Sequence, residues 1–367
     1  MEYGLFISPS HPPERGIHRG QQWDLQMIRW ADELGFLEAW MGEHHTSPWE
    51  PNPSPDITIA QALMQTRRIK LGAAGFVLPY HHPAELANRA MFLDHLCQGR
   101  FQFGIAAGGN ESDWALFHVD GATGANREMA RESLDIIVRL WTAEEPFDYV
   151  GKFWSVSRTA PMRGGLGPHF RPFQKPHPPI SVSGSSANSN MLRLAGERGF
   201  IPISPAFNRD MVARQWMTVQ EGARSVGRTA NRADWRLLRE VFVAPTDEEA
   251  LELSLNGPMG RQRREFAFPA ALCGKRLNYV KHDPDVPDSE ITVEYLARHN
   301  WLVGSPDTVA EKLRQLYDHV GGFGVLLVIC FDYFEQPHAW QRSMRLLAEE
   351  VMPRFAHLTA RAPVAVS

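Results

Sequence analysis

Cysteine is scarce. Cys97, Cys273 and Cys330 are the only three in 367 residues, and no two form a C-x-x-C pair. That spacing excludes a disulfide frame and a cysteine zinc site, and it points to reduced thiols in a cytoplasmic setting. An excess of one charge is also missing: 38 Lys and Arg stand against 42 Asp and Glu, a formal −4. Neither nucleic acid nor an anionic membrane is therefore an expected partner, and Arg261, Arg263 and Arg264 read as a solvated helix face. No apolar run nears the roughly 18 residues needed to cross a bilayer. The opening MEYGLFISPS has neither the basic nor the sustained apolar part of a signal peptide. Absent too are G-x-G-x-x-G and G-x-x-x-x-G-K-[ST], the phosphate loops that a doubly wound α/β sheet needs in its first strand–helix turn.

What is present is alternation. YGLFIS reads as a strand, and Trp23, Met27, Trp30, Ala31 and Leu34 follow at helical spacing. LEAWMGEH, IKLGAAGFVLPY, RFQFGIAAGG, PISVSGSS, FIPIS, LLREVFVAP and FGVLLVICFD continue as strands, nearly all followed by helices. TDEEA reads as a capping box, Thr246 with Glu249. Runs such as VLLVI suit parallel strands buried on both faces. The economical fold is one α/β domain over 1–367, a (β/α)₈ TIM barrel, with irregular insertions near 144–178 and 255–298.

Barrel chemistry sits at the carboxyl ends of the strands. Strand two ends in Glu43-His44-His45, adjacent residues that point to opposite sides and lack the helical spacing of H-E-x-x-H. A metal would need further ligands, and the other strand ends offer chiefly Ala, Gly, Ser and Asn, so no metal site is expected. One of the two histidines should face the mouth while the other packs outward or caps the loop; the bland alternative is that both are merely structural. Strand three carries Ala74 and Gly75, and strand four ends at Ala107, Gly108, Gly109 and Asn110. Small residues on neighbouring strand ends leave a flat slot for a planar ring. Ser185, Ser186 and Ser189 surround a helix start, where free N–H groups and hydroxyls suit a phosphate, although ordinary serine capping would place them there as well. Cradle plus slot suggests a nucleotide-like cofactor, most naturally FMN. Phe6, Trp49 and Phe76 are candidates to line an apolar substrate site, or simply to pack.

These segments resemble the bacterial luciferase-like, flavin-dependent monooxygenases, on the side of the diketocamphane and limonene monooxygenases. The likeness runs in order through YGLFISP, LGFLEAWMGEHH, IKLGAAGFVLPYHHPAELANR, QGRFQFGIAAGG, AGERGFIPIS, REVFVAPTDEEA and WLVGSPDTVAEKL. The resemblance implies that His44 is the active-site histidine beside the flavin and that Ala74 and Gly75 lie at an unusual cis peptide against its ring. It further implies that Ser186 and Ser189 contact the flavin phosphate. Luciferase itself has an arginine where Ala107 stands and a glutamate where Ser185 stands, so flavin should be held weakly, as a diffusing cosubstrate. The implied activity takes reduced FMN (FMNH2) from a separate NAD(P)H-dependent flavin reductase. With O2 it forms a flavin C4a-(hydro)peroxide and inserts one oxygen atom into a small apolar substrate: a terpenoid, cyclic ketone or aromatic. A homodimer is expected. The alternatives are a deazaflavin-dependent hydride-transfer dehydrogenase or reductase on the same barrel, and a non-catalytic flavin-binding protein. Residues 257–274, with Phe266, Phe268 and Leu272, have the makings of a lid; the alternatives are a helix pair packed outside the barrel, or a dimer contact.

Overall fold

Val325–Ile329 is buried along its whole length, because one face meets the barrel interior and the other the outer helices. It pairs in parallel with Glu2–Ile7 on one side and Arg236–Arg239 on the other. Following the ladder from Glu2–Ile7 leads through Glu38–Met41, Lys70–Ala73, Phe101–Ala106, Ile180–Ser183 and Ile201–Ser204 back to Arg236–Arg239. Pairing of Leu71 with Phe101 and Gly72 with Gln102 joins the third and fourth strands, and the ring closes as an eight-stranded parallel barrel. The computed structural model describes residues 1–205, 207–274, 277–283 and 285–358; the rest of the expected 1–367 domain lies outside the described residues.

The barrel floor is polar and paired. Arg236 donates to both oxygens of Glu38 at 3.1 Å, while Trp40 and Gln102 donate to the same carboxylate at 2.8 and 3.2 Å. Burial opposes the Glu38 charge, but Arg236 outweighs it and holds the carboxyl below its usual range. Outside, Pro306–Val320 shows how the helices are made: Ser305 caps it, Val309, Leu313, Leu316 and Val320 are buried, and Gly321 ends it at φ 75°. The expected capping box forms in its forward half. Thr246 accepts from the Glu249 N–H at 3.2 Å, but the Glu249 carboxylate goes to Arg342.

Three stretches differ from expectation. LLREVFVAP is two strands, because Val241–Val243 leaves the barrel after Glu240 and pairs with Leu302–Gly304 outside it. The insertion near 144–178 holds an antiparallel hairpin, Phe147–Val150 with Ser155–Arg158. The stretch near 255–298 is largely helical: Pro258–Gln262 runs through a wider turn, Arg263–Ala267, into Phe268–Cys273. Pro269 interrupts the apolar period there, which hides a helix whose wide turn absorbs the missing N–H.

Candidate active site

A cavity of about 1010 Å³ opens at the carboxyl ends of the strands. That lies at the upper end of the ~300–1,000 Å³ typical of single-ligand pockets, enough for a large cofactor and a small second molecule. His44 lines it, as do Glu43, Ala74, Gly75, Ala107, Gly108, Gly109, Asn110, Ser185, Ser186, Ser189 and Phe6.

The Glu-His-His trio divides as its alternation requires. The His44 side chain is about 29% exposed, toward the cavity, with Nδ1 3.6 Å from Glu50 Oε2. His45 turns away and packs edge-on against Phe117 and Tyr80. The Glu43 carboxylate has no exposed surface. It pairs with His45 Nε2 at 2.8 Å and His81 Nε2 at 2.9 Å, and accepts the Val77 N–H at 3.0 Å. Burial opposes its charge, yet the hydrogen bonds from His45 and His81 prevail and keep its pKa below the usual range. Glu43 therefore anchors the 74–77 segment beneath the cavity wall. No three His, Cys, Asp or Glu side chains converge as metal ligands among the described residues.

The slot is set by backbone. A Cβ on Gly75 would stand 2.6 Å from Ile105 N and C, and one on Gly108, at φ 81°, would stand 2.7 Å from the Tyr80 hydroxyl. A Cβ on Gly109 would meet nothing within 4 Å, so that residue faces open space. The cis peptide implied at Ala74–Gly75 is not formed: the one cis bond among the described residues is Lys175–Pro176.

At the far end, Ser189 caps the helix Asn190–Arg198 through the Leu192 N–H at 3.4 Å, while Ser185 and Ser186 are exposed. Arg127, exposed, lines the same cavity; a lone Arg at a helix start gave the sequence no signal for it. The aromatic candidates separate. Phe6 lines the cavity. Trp49 is one layer back, stacked on Phe266 with ring centroids 5.9 Å apart. Phe76 is a correction: at 1% exposure it stacks on Phe103 in the core and does not reach the cavity. The 258–273 helical stretch covers the mouth, with Arg263, Phe266, Phe268 and Ala271 on the lining. Arg263 pairs at 2.6 Å with Glu240, a carboxylate 3% exposed at the end of the seventh strand.

Barrel, backbone slot, serine loop and cavity-facing histidine together make an open site at the carboxyl ends of the strands, where barrel enzymes carry their chemistry. Residues 1–322 match the luciferase-like monooxygenase family, and the chain belongs to it. It is 33% identical to 3,6-diketocamphane 1,6-monooxygenase of Pseudomonas putida, over 97% of this chain and 98% of that protein. It is 36% identical to 4-hydroxyprotoasukamycin monooxygenase of Streptomyces nodosus subsp. asukaensis, over 97% and 92%. A solved structure with TM-score 0.91 and 33% identity covers 96% of this chain and 98% of its own. It is the oxygenating constituent of the Pseudomonas putida 3,6-diketocamphane monooxygenase, a type II Baeyer–Villiger enzyme in complex with FMN.

Proposed function

We propose that this chain is the oxygenase component of a two-component system that uses reduced FMN and O2 to oxygenate a small apolar organic molecule. The observation that carries the reading is the side-chain-free slot formed by Ala74–Gly75 and Ala107–Gly109, with His44 beside it and the serine loop at its far end. These residues fit FMN. Ala74, Gly75 and Ala107 to Asn110 would flank the ring, and Ser185, Ser186, Ser189 and Arg127 would hold the phosphate. Bound reduced flavin supplies the electrons that activate O2. His44 holds or moves a proton beside the reacting atoms, and Phe266 and Phe268 exclude water.

A separate NAD(P)H-dependent flavin reductase is the electron source, since the chain has no dinucleotide fingerprint and its solved relative is itself one constituent of a larger system. A homodimer suits the exposed apolar faces of two neighbouring helices, with Ile57 and Met64 on one and Phe92 and Leu96 on the other. The decisive experiment supplies NADH, FMN and O2 with and without an added flavin reductase, and follows oxygen uptake and labelled-oxygen incorporation across cyclic ketones, alkenes and aromatics. Incorporation that requires the reductase is expected. NADH oxidation by the purified chain alone, or anaerobic hydride transfer with a deazaflavin, would overturn the reading.

A further inference from the structure

Gln215 lies on the helix Arg209–Ser225 and is fully buried, outside the residues that line the cavity. Its side-chain amide donates to three successive backbone carbonyls, those of Gly184 at 2.9 Å, Ser185 at 2.8 Å and Ser186 at 3.3 Å. Thr218, one turn along the same helix, donates to the next carbonyl, Ala187, at 3.0 Å. In a trans peptide the carbonyl of one residue and the N–H of the next point in opposite directions. Tethering four carbonyls to the helix therefore turns the N–H groups of Ser185, Ser186, Ala187 and Asn188 the other way, toward the cavity that Ser185, Ser186 and Asn188 line. None of these four N–H groups has an acceptor among the described residues. A row of free N–H groups on one concave turn is an anion nest. Gln215 Oε1 is buried with no partner among the described residues, a cost that an apolar filler at this position would not carry.

We infer that Gln215, assisted by Thr218, is a positioning residue for the cofactor phosphate: it converts the 184–188 loop from a carbonyl-lined edge into a row of donors. This rests on the flavin reading above and adds to it how the loop is held. The phosphate preference then depends on a side chain that never touches the ligand. Asn126 treats the facing loop alike, donating to the carbonyls of Ala107 and Gly108 at 3.0 Å each.

The test compares FMN with riboflavin, which differ only in the phosphate, by flavin fluorescence quenching on the full-length protein. Wild type should prefer FMN. In Gln215→Leu the FMN-to-riboflavin preference should fall on the order of tenfold, with riboflavin affinity little changed. Thr218→Val, which removes one tether and conserves shape, should lower the preference by a smaller factor, and it carries the test if Gln215→Leu does not fold. Equal weakening of both flavins, or a preference left intact in both variants, would overturn the inference and leave the flavin reading standing. Wild-type protein that binds neither flavin would overturn both.

Discussion

His44 Nδ1 and Glu50 Oε2 face one another at 3.6 Å on the cavity wall, and the loop between them is folded to keep them there. The His44 N–H bonds to the Asn52 carbonyl at 2.9 Å, Asn52 Nδ2 returns to the Gly42 carbonyl at 3.1 Å, and Ser47 donates to the Glu50 carboxylate at 3.4 Å. A carboxylate beside Nδ1 favours the tautomer with the proton on that nitrogen, which leaves Nε2 to accept. Such contacts are commonly long without ligand and tighten on binding.

Glu50→Leu should therefore release the imidazole while Glu50→Gln, which keeps an acceptor oxygen, should largely retain it. Nitrogen-15 NMR of the histidine rings reads the tautomer directly, with His44→Ala identifying the signal. With reduced FMN and O2, Glu50→Leu should raise peroxide release per flavin roughly tenfold, as a mispositioned proton carrier would. An identical His44 signal in wild type and Glu50→Leu would show that Glu50 does not orient the ring.

His45→Ala should act differently from His44→Ala. Because His45 and His81 hold Glu43, and Glu43 holds the Val77 N–H, losing His45 leaves a buried carboxylate short of a donor, at about 1–3 kcal/mol. Lower thermal stability and weaker FMN binding are expected, with proton handling at His44 intact. The Glu43 pKa is lowered in the folded state, so its contribution is present above the unfolded carboxyl pKa and fades as pH falls through the folded one. The variant should accordingly lose part of the wild-type acid-unfolding slope. Unchanged melting and FMN affinity would rule out the anchoring role.

The barrel was legible because its signals are periodic and continuous: VLLVI is apolar throughout, as strands of a parallel sheet covered on both faces are, and small residues recur where strands end. His44 and the serine loop were legible from their places at strand ends. Glu50 and Gln215 were not, since one acts through a loop that folds back and the other across 29 to 31 residues of sequence. Phe76 was misjudged for a related reason. Strand three breaks between Ala73 and Phe76, and the break turns that ring onto Phe103 instead of into the mouth.

The 258–273 stretch should behave as a lid. Phe266 stacks on Trp49 and Arg263 pairs with Glu240, so two contacts fasten it over the cavity. Arg263→Leu strands the buried Glu240 charge, which typically costs about 3–5 kcal/mol in local or global stability. Hydrogen exchange over this stretch should slow when FMN binds to wild type, and should be faster in the variant with or without FMN. Protection that instead follows protein concentration and ignores FMN would make the stretch an interface.

Behind the first loop, His11 is 5% exposed and sits between two carboxylates, Asp332 on Nδ1 at 2.9 Å and Asp24 on Nε2 at 3.1 Å. Burial works against its charge, but Asp24 and Asp332 outweigh burial and raise the imidazole from 6.5 to about 9. Gly20 lies against the ring, where a Cβ would come within 2.7 Å, so a larger residue there would push the imidazole off its carboxylates. A pKa raised on folding gives a definite sign: the stabilisation is complete below about 6.5 and is lost as pH rises through about 9. Cys97, which burial pushes up to about 11, does not titrate in that window. Urea midpoints should thus fall between pH 6.5 and 9 in wild type. His11→Gln should be less stable than wild type at pH 6.5 and should lack that fall. Parallel pH profiles for the two proteins would mean that the proton between Asp24 and Asp332 contributes nothing to folding.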